Sequence, residues 1–518
     1  MGGGTSRTGR ILPRRPPSPH ALSFLDLQPL SPILQLCPPC RRGSARPGST
    51  VVFASLVFLF LFLPLQFAAY FARPGLAYRN GVLLAFSLLF YAWGEPRWIF
   101  LLLGSCLLDH RMALVIERHR GTHLAKLALG TSLVSNLGLL AAFKYSGLAV
   151  ETVNQLAGTH LPVPAPALPV GISFYTFQVL SYVVDVYRGE VPAERSYARL
   201  LLFVSLFHQL VAGPIVRYVD VARDLTERRF DADGFSRGVT RLCVGLFKKV
   251  CIANVAGELV ARYLDAPVDG LTTAEAWFGL GMYTLQIYFD FSGYSDMAIG
   301  MGLMTGFHYL ENFDHPYVAR SMGDFWRRWH ISLGTFFRDY VYFPLGGRRH
   351  HALRNLLLVW FLTGLWHGAS WNFVLWGLFH GTFVTLERVA GLAPERWPRL
   401  LSHLYVLPVV MVGWALFYFT DLSRLGQFLS ALAGHPHPSA TAEGLLTTLS
   451  EHALWLGLAV VLCLPVRSAV EHWVGAQQQA WIRAAAGLVA LTAQVGAVLA
   501  STALLVGRSY NPFLYFRF

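Results

Sequence analysis

The chain has 518 residues, of which 54% are hydrophobic, 14% aromatic and only 14% charged. Soluble globular proteins carry roughly 25% charged residues, so this composition excludes an ordinary soluble enzyme. The net charge of +13 does not argue for a nucleic-acid partner, because multi-spanning membrane proteins gather Lys and Arg in their cytoplasmic loops.

Residues 1–50 are rich in Pro, Gly, Ser and Arg, and hold seven Arg against one Asp, which supplies +6 of the +13. Such a stretch buries too little apolar surface to fold and reads as a disordered tail. Cys37 and Cys40 have C-x-x-C spacing but no strand–helix–strand context, so neither a redox nor a metal site is expected there. Cys106, Cys243, Cys251 and Cys463 lie in apolar segments, which implies small buried thiols and no disulfide framework.

From residue 52 onward, apolar runs follow one another: 52–70 (VFASLVFLFLFLPLQFAAY), 80–94, 98–108, 127–143 and 170–187. Later runs lie near 250–265, 272–290, 355–391, 403–420, 452–466 and 483–507. Their lengths suit a hydrocarbon core of about 30 Å, and the ten-residue alternation of a β-barrel is absent. The fold class is therefore an all-α polytopic membrane protein, with roughly ten to twelve passages. No internal repeat of the transporter kind is visible.

The basic stretches 109–126, 188–199 and 217–249 are expected to be cytoplasmic loops, and the Pro-rich 144–168 an external one. Segment 200–216 begins and ends on the cytoplasmic side, which suggests a re-entrant piece. Counting back from 109–126 puts residue 51 outside, so a tail with seven Arg falls on the wrong side of the membrane. The expectation is a true start near Val51, followed by a membrane domain over 51–395 and further helices of the same domain over 396–518.

Three polar stretches interrupt the apolar pattern: 286–300 (QIYFDFSGYSDMAIG), 323–340 (GDFWRRWHISLGTFFRDY) and 364–372 (GLWHGASWN). A charge in the bilayer costs several kcal/mol, so such residues face a cavity or each other. His367 lies 13 residues beyond Arg354, or about 20 Å along a helix. At that depth it is either a helix–helix hydrogen-bonding group or a neutral imidazole placed as a general base. His330 sits with Asp324, Arg327 and Arg328 beside Trp326 and Trp329. This is either an interfacial helix with its basic face on phospholipid, or a re-entrant helix that holds an anionic donor's phosphates through Arg. Asp290 and Asp296 are expected to hold neighbouring helices. Gly234-Phe-Ser-Arg-Gly238 matches G-x-S-x-G but lacks the preceding strand, and no metal-ligand pattern appears in the body of the chain.

Taken in order, PVGISFYTFQVLSYVVDVYRGE (169–190), QLVAGPIVRY (209–218), GLFKKVCIAN (245–254), QIYFDFSGYSDMAIGMG (286–302), NFDHPYVARSMGDFWRRWHISLGTFFRDYVYFPLGG (312–347) and LTGLWHGASWNFVLWGLFHG (362–381) resemble the membrane-bound O-acyltransferase family. The likeness is to its alginate- and exopolysaccharide-acetylating branch. It covers about 51–518 and includes the YNPFLYFRF ending. His208 in LFHQLVAGP departs from the pattern, where proline is expected.

The resemblance implies a ring of about eleven helices with re-entrant pieces around a tunnel. It makes His367 the hallmark histidine and base, and His330 the second active-site histidine. It also implies donor or substrate contacts at Asp324, Arg327, Arg328 and Trp366. No bound cofactor or metal is expected. Acetyl-CoA is the expected donor, a polysaccharide the acceptor and a periplasmic acetyltransferase the partner, at a bacterial inner membrane. Two rival readings are D-alanyl transfer to teichoic-acid-type polymers, and a polysaccharide or lipid transporter with a histidine proton relay.

Overall fold

The computed structural model describes residues 53–211, 213–435, 444–477, 479–506 and 513–514. The tail, its cysteine pair and the expected start at Val51 lie outside the described residues. Within them the regular structure is helical throughout, with no strand. Among the described residues, four helices are long and apolar enough to cross a membrane: Ile99–Arg118, His123–Lys144, Arg399–Tyr418 and Ala480–Val506. A bent pair, Leu445–Glu451 with Ala453–Leu462, makes a fifth if the two are one span. Length and composition therefore do not establish eleven passages. Other elements are shorter, broken, or studded with buried polar groups.

Several boundaries differ from the sequence expectation for one recurring reason. The stretch 109–126 is not a loop: the helix that starts at Ile99 runs on to Arg118. Asp109 inside it is fully buried, accepting hydrogen bonds from Ser132 at 2.5 Å and Asn136 at 2.9 Å on the next helix. A polar residue that looks like a loop in sequence thus works as an inter-helix bond. The Pro-rich 144–168 likewise begins with a helix, Ser146–Ala157. The basic stretch 217–249 is mostly two helices, Tyr218–Glu227 and Ala232–Phe247.

Helix Ala232–Phe247 lies along the 33-residue helix Thr273–Thr305. The long helix is started by a reciprocal cap between Thr272 and Glu275, and stopped at Gly306, whose φ of 84° is left-handed. A Cβ on Gly245 would lie 2.5 Å from the Gly293 carbonyl, and one on Gly238 would lie 2.6 Å from that of Gly300. Glycine at these places lets the backbones touch, as close membrane helix pairs require. Around that seam Asp296 pairs with Lys248 at 2.7 Å and Arg241 at 2.9 Å, and Asp290 pairs with Lys249. Both aspartates therefore bind a neighbouring helix. Segment 200–216 is broken at Leu206, between Tyr197–Ser205 and Phe207–Leu210. His208 is buried there, with Nδ1 3.4 Å from the Tyr309 hydroxyl.

Candidate active site

The apolar run 355–391 is two helices, Ala352–His367 and Trp371–Val389, so His367 is the last residue of the first. The sequence Gly-Ala-Ser after it supplies an extended Gly368 and a cap position at Ser370. The helices cross with backbones in contact, for a Cβ on Gly364 would meet the Phe373 carbonyl at 2.3 Å. This crossing, one turn before His367, fixes where its ring points.

A helix end leaves its last carbonyls without intrahelical partners. Here the Lys144 ammonium donates to the carbonyls of Trp366 and His367, and the Tyr145 hydroxyl donates to that of Leu365 at 2.7 Å. A cation at a helix C-terminus also complements the macrodipole. The His367 ring is held by Trp366, Trp376 and Phe417, with centroids 4.8, 4.9 and 5.2 Å away. Its Nδ1 has no hydrogen-bond partner among the described residues.

His367 lines a cavity of about 30 Å³, together with Asp290, Phe291, Tyr294, Trp376 and Leu514 among others. The walls are mainly aromatic, with Asp290 the one acidic side chain among the lining residues. Asp290 is occupied by Lys249 on one oxygen and by the Leu514 backbone N–H, at 2.8 Å, on the other.

His330 stands between the short helices Met322–Arg328 and Ile331–Phe337, with a left-handed backbone (φ 46°, ψ 53°) that is uncommon outside glycine. Its ring is 4.7 Å from Phe291 and 5.9 Å from Trp366. The fold therefore gathers His330 and His367 around these two aromatic rings. His367 lines the cavity, and His330 adjoins it through Phe291.

The remaining predicted residues divide by face. Trp366 is in the site. From the short helix, Phe325 and Trp326 turn inward, Trp326 lying 4.7 Å from Trp360. Asp324, Arg327 and Arg328 turn the other way. Asp324 pairs with Arg328 at 3.1 Å and Arg327 at 3.5 Å, and Arg328 also pairs with Asp314 at 3.0 Å. Arg327 remains 69% exposed. None of these three lines the cavity. Ser236 of the G-x-S-x-G match is exposed on a helix, without the strand–turn geometry of a nucleophile.

Sequence reasoning missed Lys144, Tyr145 and Asn312. Lys144 reads as a flanking charge after an apolar run, and nothing in the sequence ties it to residues more than 200 positions away. Asn312 opens the stretch NFDHPY beside the second histidine, and that proximity was its only signal.

Comparison with known proteins agrees with the motifs. The profile of the membrane-bound O-acyltransferase family matches residues 190–420. The probable alginate O-acetylase AlgI of Azotobacter vinelandii is 38% identical, over 90% of this chain and 100% of its own length. The protein of the same name from Pseudomonas putida is 37% identical over the same shares. The peptidoglycan O-acetyltransferase of Helicobacter pylori is 31% identical, over 90% of this chain and 98% of its own. Identity over nearly the whole length of such proteins, with the two histidines packed against Trp366 beside one cavity, makes this chain a polytopic membrane O-acyltransferase of the membrane-bound O-acyltransferase family.

Proposed function

We propose that this protein takes an acetyl group from cytoplasmic acetyl-CoA and passes it across the membrane for O-acetylation of an exopolysaccharide such as alginate, with a periplasmic acetyltransferase as partner. The observation that carries this reading is the placing of His367 on the cavity wall at the end of its helix. In the reaction, an acceptor hydroxyl attacks the thioester carbonyl while His367 takes its proton. The new C–O bond forms, the C–S bond breaks, and the departing thiolate regains the proton. The aromatic walls exclude competing water. The exposed Arg327 is the donor-phosphate contact, and Arg328 and Asp324 support it through their ion pairs. The relatives' names, alginate O-acetylase and peptidoglycan O-acetyltransferase, support acetyl transfer to a polymer.

The test is transfer of labelled acetyl from acetyl-CoA in membranes that contain the periplasmic partner. Native protein is expected to label a periplasmic acceptor, and His367→Ala and His330→Ala to lose that label at equal expression. Undiminished transfer by His367→Ala would leave this histidine structural. No transfer from acetyl-CoA by the native protein would point to another donor or to transport.

A further inference from the structure

Asn312 reaches His330 from two directions. Its backbone carbonyl accepts from the Ile331 N–H at 3.0 Å, while the Asp314 N–H donates to the Arg328 carbonyl at 2.9 Å. The segment before the short helix is thus tied across the break at which His330 sits. Its side-chain Oδ1 lies 3.1 Å from His330 Nδ1, and also meets the Ser332 hydroxyl at 2.8 Å and the Ser332 N–H at 3.3 Å.

These partners leave no freedom in the orientation of the amide. A backbone N–H only donates, so the atom facing Ser332 N is the oxygen. The Ser332 hydroxyl oxygen already accepts from the Ile215 N–H at 2.9 Å, so its own hydrogen is free to go to Asn312. The amide nitrogen donates to Ser295 on the opposite side, at 3.1 Å. An oxygen that only accepts therefore faces His330 Nδ1. The other ring nitrogen, Nε2, is buried without a hydrogen-bond partner among the described residues.

We propose that Asn312 is a positioning residue that fixes the tautomer of His330: the ring carries its proton on Nδ1 and presents an unprotonated Nε2. His330 is then a proton or hydrogen-bond acceptor in the reaction, not a donor. The partner of one ring nitrogen sets the chemistry of the other. A base oriented by a third group is the general arrangement of activated sites. His367 has no comparable partner at Nδ1 among the described residues, so no hydrogen bond there sets its tautomer. The two histidines are thereby distinguished: one has its tautomer locked, and the other stays free to exchange its proton between nitrogens. This inference rests on the acetyl-transfer reading only for what the free Nε2 acts on.

The experiment uses full-length protein with 15N-labelled histidine in lipid nanodiscs. Solid-state NMR reads the tautomer, a His330→Gln variant assigns the signal, and acetyl transfer is measured alongside. The native His330 signal is expected to be that of the Nδ1–H form. Asn312→Leu is expected to lose that signature and to drop kcat about tenfold or more, with KM for acetyl-CoA changed less than about threefold. Asn312→Asp keeps an accepting oxygen at the same place, and is expected to keep the signature and most of the rate. A native Nε2–H signal overturns the proposal. So does a signature unchanged in Asn312→Leu, or equal loss of rate in both variants with the tautomer intact. Should Asn312→Leu fail to accumulate, the native signal and Asn312→Asp still decide. If the native protein transfers no acetyl from acetyl-CoA, the donor reading fails, while the spectra continue to test the tautomer.

Discussion

Gly364→Ala tests whether the backbone crossing beside His367 sets the geometry of the site. The added Cβ lies 2.3 Å from the Phe373 carbonyl oxygen and 3.2 Å from Val374 Cα, where 3.4 Å marks the start of ordinary contact. Both neighbours are backbone, so no side chain swings away to relieve the clash, and the two helices must part by about 1 Å. Overpacking of this kind costs about 1–3 kcal/mol, and the gain in helix propensity from glycine to alanine offsets about 1 kcal/mol of it. The net loss of stability is then about 0–2 kcal/mol, and the protein is expected to fold. Activity is the sensitive readout, since a displacement of about 1 Å at a reacting group costs roughly a hundredfold in rate. Thermal unfolding in detergent and acetyl transfer in membranes measure the two effects. Gly104→Ala is the control, since nothing lies within 4 Å of its Cβ. A Gly364→Ala variant with native rate and native melting temperature would refute the argument that this crossing positions His367.

Four further outcomes follow from the structure. Lys144→Met strands the carbonyls at the end of the His367 helix; it is expected to cost about 2–3 kcal/mol in thermal unfolding and to slow transfer, with partial rescue by Lys144→Arg. Arg327→Ala is expected to raise KM for acetyl-CoA with stability within about 0.5 kcal/mol of native. Arg328→Ala, which releases Asp314 and Asp324, is expected to cost about 1 kcal/mol; the reverse pattern would exchange their roles. In the loop before Tyr197–Ser205, burial pushes the Glu194 carboxyl up, but Arg199 and the Ser196 N–H outweigh it and hold it below its ordinary value. Its stabilisation is therefore present above the unfolded value of about 4.3 and fades as pH falls below that toward the folded value. A Glu194→Gln variant is expected to differ from native near neutral pH and to converge with it in acid; a constant difference across that range would contradict this sign.

The amino-acid sequence by itself determined the class of molecule. Long apolar runs leave helices as the economical way to satisfy the backbone in lipid. Ordered motifs such as RWHISL and LWHG identified His330 and His367 as the pair to examine. Both are matters of local composition, and the fold brought the two histidines together around Trp366 and Phe291.

Only the tertiary structure decided what each polar residue does, because a polar side chain in a membrane protein takes its meaning from a partner distant in sequence. Asp109 reads as a loop residue until Ser132 and Asn136 are seen to hold it. Lys144 reads as a flank until it caps carbonyls more than 200 residues away. The charge of 323–340 reads either as a lipid-facing helix or as a donor site, yet one short helix sends its tryptophan inward and its arginines outward. Periodicity shows that such a helix has two faces; which face meets the cavity depends on contacts that sequence separation conceals.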